Sequence, residues 1–150
     1  MDDILKYSIA GLPVVLILLF VYKIDKNEKE QIWPLVITFL LGGLGTIPLL
    51  FWESWVSTTA LEQNINIWKT LAIAFLVVAA SEEFVKSLVV YLYPYHQSFF
   101  NERLDGIIYG ATASLGFATV ENFLYAYQYD WTSVAVRAFT AVPIHAAFGI

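Results

Sequence analysis

Cysteine is absent from the 150 residues, which excludes a disulfide scaffold, thiolate metal ligands and a cysteine nucleophile together. Charge is scarce: Asp, Glu, Lys and Arg make up 14% of the chain, against about a quarter in a soluble domain. Basic charge is scarcest, with 8 Lys and Arg against 13 Asp and Glu. No basic face is available to meet phosphates, so a nucleic-acid module is excluded. A basic leader and a small-residue cleavage site are missing too. The chain opens Met1-Asp2-Asp3, and its first apolar run ends in Val21-Tyr22-Lys23-Ile24-Asp25, which reads as a retained span.

What is present is apolar surface. Hydrophobic residues reach 59% and mean hydropathy is +0.65, which excludes disorder and exceeds what a water-soluble domain of this size can bury. The expected fold is an all-α, polytopic helical membrane protein, one transmembrane domain over residues 1–150. Apolar stretches long enough to cross a bilayer core lie at about 4–22, 32–52, 67–93, 104–127 and 132–150. Trp33, Trp52, Trp55, Trp68 and Trp131 fall near the ends of these spans, where amphipathic rings prefer to sit. Lys23, Lys26 and Lys29 in the first loop and Arg103 in the third, against Lys6 and Lys69 opposite, favour cytoplasmic first and third loops. The fifth span is still apolar at Ile150, the last residue, so it is expected to be cut short.

The spans contain charges that a lipid-facing helix would not carry. The third holds Ser81-Glu82-Glu83-Phe84-Val85-Lys86, the fourth Asp105-Gly106 and Glu121-Asn122, the fifth Arg137 and His145. At about +2.5–3.5 kcal/mol each at mid-span, Glu82, Glu83, Lys86, Glu121 and Arg137 would cost roughly 12–17 kcal/mol unpaired. They must therefore converge on one another or on water. Lys86, four residues after Glu82 and three after Glu83, can reach both along one helix face. Gly106, Gly110 and Ser114 form a small-residue stripe on the fourth span, with Glu121 almost in line. Such a stripe lets another helix approach closely. Gly42, Gly43 and Gly45 suggest the same for the second. Arg137, Ala141, His145 and Gly149 share a face of the fifth span, with Pro143 expected to bend it. Counted by helical rise from a shared membrane face, Glu82 lies about 23 Å deep, His145 about 20 Å and Glu121 about 9 Å. Glu121 is thus expected one to three turns above the others.

Plainer readings stand beside these. Asp105, at a span end, suits a helix cap. Arg137, six residues into its span, can snorkel to the interface. His96 and the Tyr91–Tyr95 cluster read as interface residues, and Lys23–Glu30 as a solvated loop.

Taken in order, Glu82-Glu83-Phe84-Val85-Lys86, Asp105-Gly106-Ile107-Ile108-Tyr109-Gly110, Gly116-Phe117-Ala118-Thr119-Val120-Glu121-Asn122, and then Arg137 and His145 resemble the PrsW family of membrane-embedded proteases. They are more distantly similar to the CAAX prenyl endopeptidase and bacteriocin-processing group. The resemblance runs from about residue 75 to the end of the chain, where the family usually continues. It implies an enzyme, an intramembrane endopeptidase of the bacterial cell membrane that cuts membrane-anchored proteins, such as an anti-sigma factor. It also implies a site formed by Glu82, Glu83, Glu121 and His145.

The residues read by themselves agree with hydrolysis. A peptide bond needs a base to activate water and an acid to protonate the leaving amine. Glu82 or Glu83 suits the base and its neighbour the acid, with His145 as proton relay or carbonyl polariser. Asn122 suits an oxyanion donor, and Lys86 a group that holds and tunes the carboxylates. Arg137 and Asp105 are supporting candidates. No cofactor is firmly expected. A divalent metal such as zinc on two Glu and one His is the alternative within the class, although the paired-histidine motif H-E-x-x-H is absent. Gly-x-Ser-Gly and Gly-x-Gly-Asp elements are absent as well. Two rival functions remain. A proton- or ion-coupled transporter would also bury such charges, but it usually shows related halves, and no internal repeat is found. A non-catalytic membrane binding protein would tolerate loss of Glu82 or Glu83.

Overall fold

In the computed structural model, residues 2–24, 29–61 and 66–149 are described. Among them the fold is all-α, with no strand. Helix α1 (Asp2–Ile24) and helix α2 (Ile32–Leu61) come first. Then α3 (Ile67–Ala72), a π-helical stretch (Ile73–Ala79) and α4 (Ala80–Leu92) follow without a break and form one rod. A 3-10 turn (Pro94–His96) leads towards α5 (Arg103–Gln128), and α6 (Trp131–Phe148) completes the described chain.

The second expected span, 32–52, continues to Leu61. No glycine or proline follows Pro48 to stop it. The hydroxyls of Ser57, Thr58 and Thr59 donate to the carbonyls of Glu53, Ser54 and Trp55 at 2.6, 3.0 and 2.7 Å, so polar side chains are absorbed within the helix. Asp3–Ile24 and Ile32–Thr59 are long and apolar enough to cross a membrane. Helix α6 runs unbroken through Pro143. Phe20, Phe51, Phe75, Leu76, Phe84, Phe139 and Phe148 point outward at 64–76% exposure, whereas Lys86, Asp105, Ser114 and Asn122 are buried. That inversion suits a solvent of lipid and not of water.

Helix α5 is the axis, with residues 108–118 all buried. Helices α2 and α4 pack on one side of it, α1 and α6 on the other. Small residues set the spacing. A Cβ at Gly42 would overlap the backbone of Ala113, one at Gly116 the carbonyl of Phe39, and one at Gly110 the carbonyl of Gly149, while Gly45 sits against Val85. Backbones therefore approach closely where the glycine stripes meet.

One loop differs from expectation. Glu30, placed above in a solvated Lys23–Glu30 loop, is buried and accepts a hydrogen bond from the Tyr109 hydroxyl. A buried phenol requires such a partner. Lys26, used for orientation, lies outside the described residues. His96 packs edge-on against Tyr91 and Tyr95, with ring centroids 4.9 and 5.3 Å away.

Candidate active site

Three helices deliver the ionisable residues to one place. Lys86, on the first turns of α4, is 3% exposed and lies over the Phe117 ring of α5, 4.6 Å from its centroid. Its ammonium donates to Glu83 Oε1 at 2.7 Å, Glu82 Oε2 at 3.3 Å and His145 Nδ1 at 2.9 Å. The first two bonds are consequences of helical spacing; the third joins α4 to α6.

An ammonium can only donate, so Nδ1 of His145 accepts and the proton of the neutral ring sits on Nε2. That nitrogen faces Glu121 Oε2 at 3.0 Å. Glu121 is also paired with Arg137, whose Nη2 lies 2.6 Å from the same oxygen. The Arg137 guanidinium stacks over Tyr125, 3.9 Å from the ring centroid, and its Nε donates to Asn122 Oδ1 at 3.0 Å. Three acidic side chains (Glu82, Glu83, Glu121) thus face two basic ones, Lys86 and Arg137.

Glu121 does not sit turns away from Glu82. One ligand atom each from Glu82, Glu121 and His145 lie within 4.8 Å of one another, and all three residues are partly buried. Two carboxylates and an imidazole match the three protein ligands of a catalytic divalent-metal site, so this triad could hold such an ion. Glu83 stands outside it. Its carboxylate reaches Lys86 and is 37% exposed.

The remaining candidates have structural partners. Asp105 Oδ2 accepts from the backbone N–H groups of Asn101 and Glu102 at 2.6 and 2.7 Å, closing a capping box on α5. Asn122 donates its amide to the Ala10 carbonyl of α1 at 3.2 Å. With its oxygen held by Arg137, it braces α1, α5 and α6. Pairing with Glu121 and Asn122 ties Arg137 to the site. Sequence reasoning missed Glu53. This partly buried side chain of α2 lies close enough to feel the charges of Glu82, Glu121 and Lys86. Its signal was a lone acid within Leu49–Val56, just past the span end set at 52.

Comparison with known proteins places the chain in a family. Residues 30–150 match the model of a family described as PrsW family intramembrane metalloprotease. The protein is 36% identical over 138 residues to Protease PrsW of Geobacillus kaustophilus, covering 92% of this chain and 59% of that one. It is 35% identical over 150 residues to Protease PrsW of Oceanobacillus iheyensis, covering 100% and 66%. Against Protease PrsW of Bacillus subtilis the identity is 31% over 142 residues, covering 94% and 63%. The chain therefore spans about three fifths to two thirds of the length of these relatives. No solved structure matches it. With its glutamates, lysine, arginine and histidine gathered between α4, α5 and α6, and with the family match covering all of them, the chain belongs to the PrsW family of intramembrane metalloproteases.

Proposed function

We propose that this chain carries the catalytic centre of an intramembrane endopeptidase acting on membrane-anchored proteins. The observation that supports this most is the meeting of Glu82, Glu121 and His145 around a buried lysine, on helices whose outward faces are apolar. Hydrolysis needs a base and a proton donor shielded from bulk solvent, and the partly buried carboxylates and imidazole of this cluster can supply both.

In this reading Glu82, held by Lys86 at 3.3 Å, takes a proton from the attacking water. The water oxygen joins the scissile carbonyl carbon and the carbon–nitrogen bond breaks. The leaving amine takes the Nε2 proton of His145. Lys86, which donates to His145 Nδ1 at 2.9 Å and to Glu82 at 3.3 Å, relays the balancing proton, giving one to Nδ1 as it takes that of Glu82. Glu121 orients the ring, as the third member of a triad does, and Arg137 fixes Glu121. Glu53 adds a further carboxylate at the α2 side of the cluster. The family description implies a metal, and Glu82, Glu121 and His145 fit one. A bound divalent ion would supply Lewis-acid activation of water or carbonyl there.

The test is cleavage of single-span peptides by purified protein in lipid nanodiscs, with Glu82→Gln, Glu121→Gln and His145→Ala alongside, each with and without chelator. Loss of cutting in all three variants is the expected result. Loss on chelation, restored by added zinc, assigns the triad to a metal. Cutting that survives all three substitutions refutes the site.

A further inference from the structure

Glu53 is an acid beside the cluster to which the hydrolytic steps give no task. It stands on the packed face of α2, one turn from Leu49 and Val56, which are both buried. Its level follows from one contact, that of Gly45 of α2 against Val85 of α4. From Gly45, Glu53 lies eight residues, about 12 Å, towards the end of α2. From Val85, Glu82 lies three residues, about 4.5 Å, towards the start of α4. As consecutive helices crossing the bilayer, α2 and the rod that contains α4 run oppositely. Both displacements therefore point the same way, and about 8 Å of height separates the two residues. Side chains lean towards the start of their own helix, so those of Glu53 and Glu82 lean towards one another and the gap narrows. Accordingly, Glu53 feels the charges of Glu82, Glu121 and Lys86.

Glu82 and Glu83 bond to Lys86, and Glu121 bonds to Arg137. The carboxyl group of Glu53 forms no hydrogen bond or ion pair among the described residues. Lys86, the base it faces, is already shared by Glu82, Glu83 and His145. An acid held near two others without a cation of its own gains from a cation that arrives. Nor is it sealed off. At its level the neighbouring rod is the π-helical stretch Ile73–Ala79, in which no residue is buried, and Glu53 itself is partly exposed. Trp52 and Trp55, both exposed, put this turn of α2 at headgroup level. Lysine and arginine near the ends of a membrane span reach to that same level. A protein anchored by one span thus presents basic side chains at the depth of Glu53.

We propose that Glu53 is a specificity-determining residue, whose side chain pairs with a lysine or arginine of the substrate close to the bond that is cut. This rests on the hydrolytic reading above. The height of about 8 Å between Glu53 and Glu82 equals two or three residues of extended chain at about 3.3 Å each. The basic residue therefore lies within three positions of the scissile bond, on one side of it. A neutral residue there binds more weakly, and an acidic one is repelled.

The test uses single-span peptides with neutral residues around the cleavage point. One lysine, glutamine or glutamate is placed at successive positions, from three before the bond to three after it. Rates are measured in lipid nanodiscs with wild type, Glu53→Gln and Glu53→Asp, whose thermal midpoints are compared first to confirm folding. At one or two positions, wild type is expected to cut the lysine peptide about tenfold better in kcat/KM than the glutamine peptide, mostly through KM. In Glu53→Gln that ratio falls to about one, and the glutamate peptide improves relative to the glutamine peptide. Glu53→Asp keeps part of the preference. A merely structural role would change all peptides alike. A lysine preference that Glu53→Gln retains, or none at any position, overturns the assignment and leaves the hydrolytic reading intact. If no peptide is cut, binding of the same peptides, fluorescently labelled, decides. Lysine-selective binding that needs Glu53 keeps the cation site and overturns the hydrolytic reading, whereas unselective or absent binding overturns both.

Discussion

His145 and Glu121, on different helices, meet with Nε2 and Oε2 3.0 Å apart. The contact is the centre of a side-chain run that crosses the bundle. Lys86 of α4 binds His145 of α6, His145 binds Glu121 of α5, and Glu121 binds Arg137 of α6. Cation, imidazole, carboxylate and cation alternate, so each polar group has a neighbour of opposite demand. Removing one member takes one partner from each of its neighbours.

The geometry separates two glutamates that adjacency alone treats as equals. Glu82→Gln and Glu121→Gln are expected to lower the cleavage rate by about 10²–10⁴-fold, the usual contribution of a positioned acid or base. Glu83→Gln, whose carboxylate meets Lys86 and is 37% exposed, should lower it by less than about tenfold. Initial rates on one single-span peptide decide this. A Glu83→Gln loss as deep as that of Glu82→Gln would move the base to Glu83.

Arg137 carries stability as well as orientation. Arg137→Ala strips Glu121 of its cation and Asn122 Oδ1 of its donor. It should destabilise the fold by about 1–3 kcal/mol, the cost of leaving buried polar groups unpaired. Arg137→Lys keeps the charge but loses the planar fork that serves two acceptors at once, so an intermediate loss is expected. Denaturation midpoints in detergent would show the order wild type, Lys, Ala. Equal midpoints would mean that the pair is not structural.

Helix contact distance gives a paired prediction. Gly116→Ala places a methyl group onto the Phe39 carbonyl, and forced overpacking of this kind costs about 1–3 kcal/mol. Gly11→Ala meets only the Phe123 ring at 3.7 Å, an ordinary contact, and gains helix propensity. The first should lower the thermal midpoint and the second should leave it unchanged or raise it.

Asp130 in the α5–α6 turn gives a pH dependence. It caps α6 by accepting from Ser133 Oγ at 2.6 Å and from Thr132 N–H at 3.1 Å. These bonds, the Ser133 hydroxyl first, hold its carboxyl below the usual aspartate range. A group lowered in the folded state contributes stability above its unfolded pKa, about 3.9, and loses it as pH falls through the lower folded value. Asp130→Ala should therefore melt earlier than wild type at pH 7, with the gap closing below about pH 4. A gap constant down to pH 2 would assign the cap no ionic part.

The helical architecture was legible because hydropathy sets it directly: the long apolar runs appear where helices α1, α2 and α6 lie. The glycine stripes were legible as contacts, but their partners were not. Gly42 finding Ala113 and Gly110 finding Gly149 depend on how helices are arranged around α5. The depth of Glu121 misled for a specific reason. Counting rise from Cα to Cα ignores the direction of side chains, which lean toward the N-terminus of their own helix. Helices α5 and α6 run oppositely, so Glu121 leans away from their shared turn while His145 leans toward it, and the two close the gap. Glu53 was hidden by a span boundary, because hydropathy falls at Trp52-Glu53-Ser54 although the helix continues. The partners of Asn122 and Glu30, Ala10 and Tyr109, lie 112 and 79 residues away, and no local pattern signals such pairs.

Lys86 has one more consequence, for biogenesis. Its bonds to Glu82 and Glu83 lie within a single helix and need no neighbour to form. The third span can therefore enter the bilayer with its lysine already neutralised, before α5 and α6 have been synthesised. His145, 59 residues further on, arrives last and draws the same ammonium into the assembled centre. The residue that makes α4 insertable during translation thus becomes, once α6 docks, the one that ties it to the site.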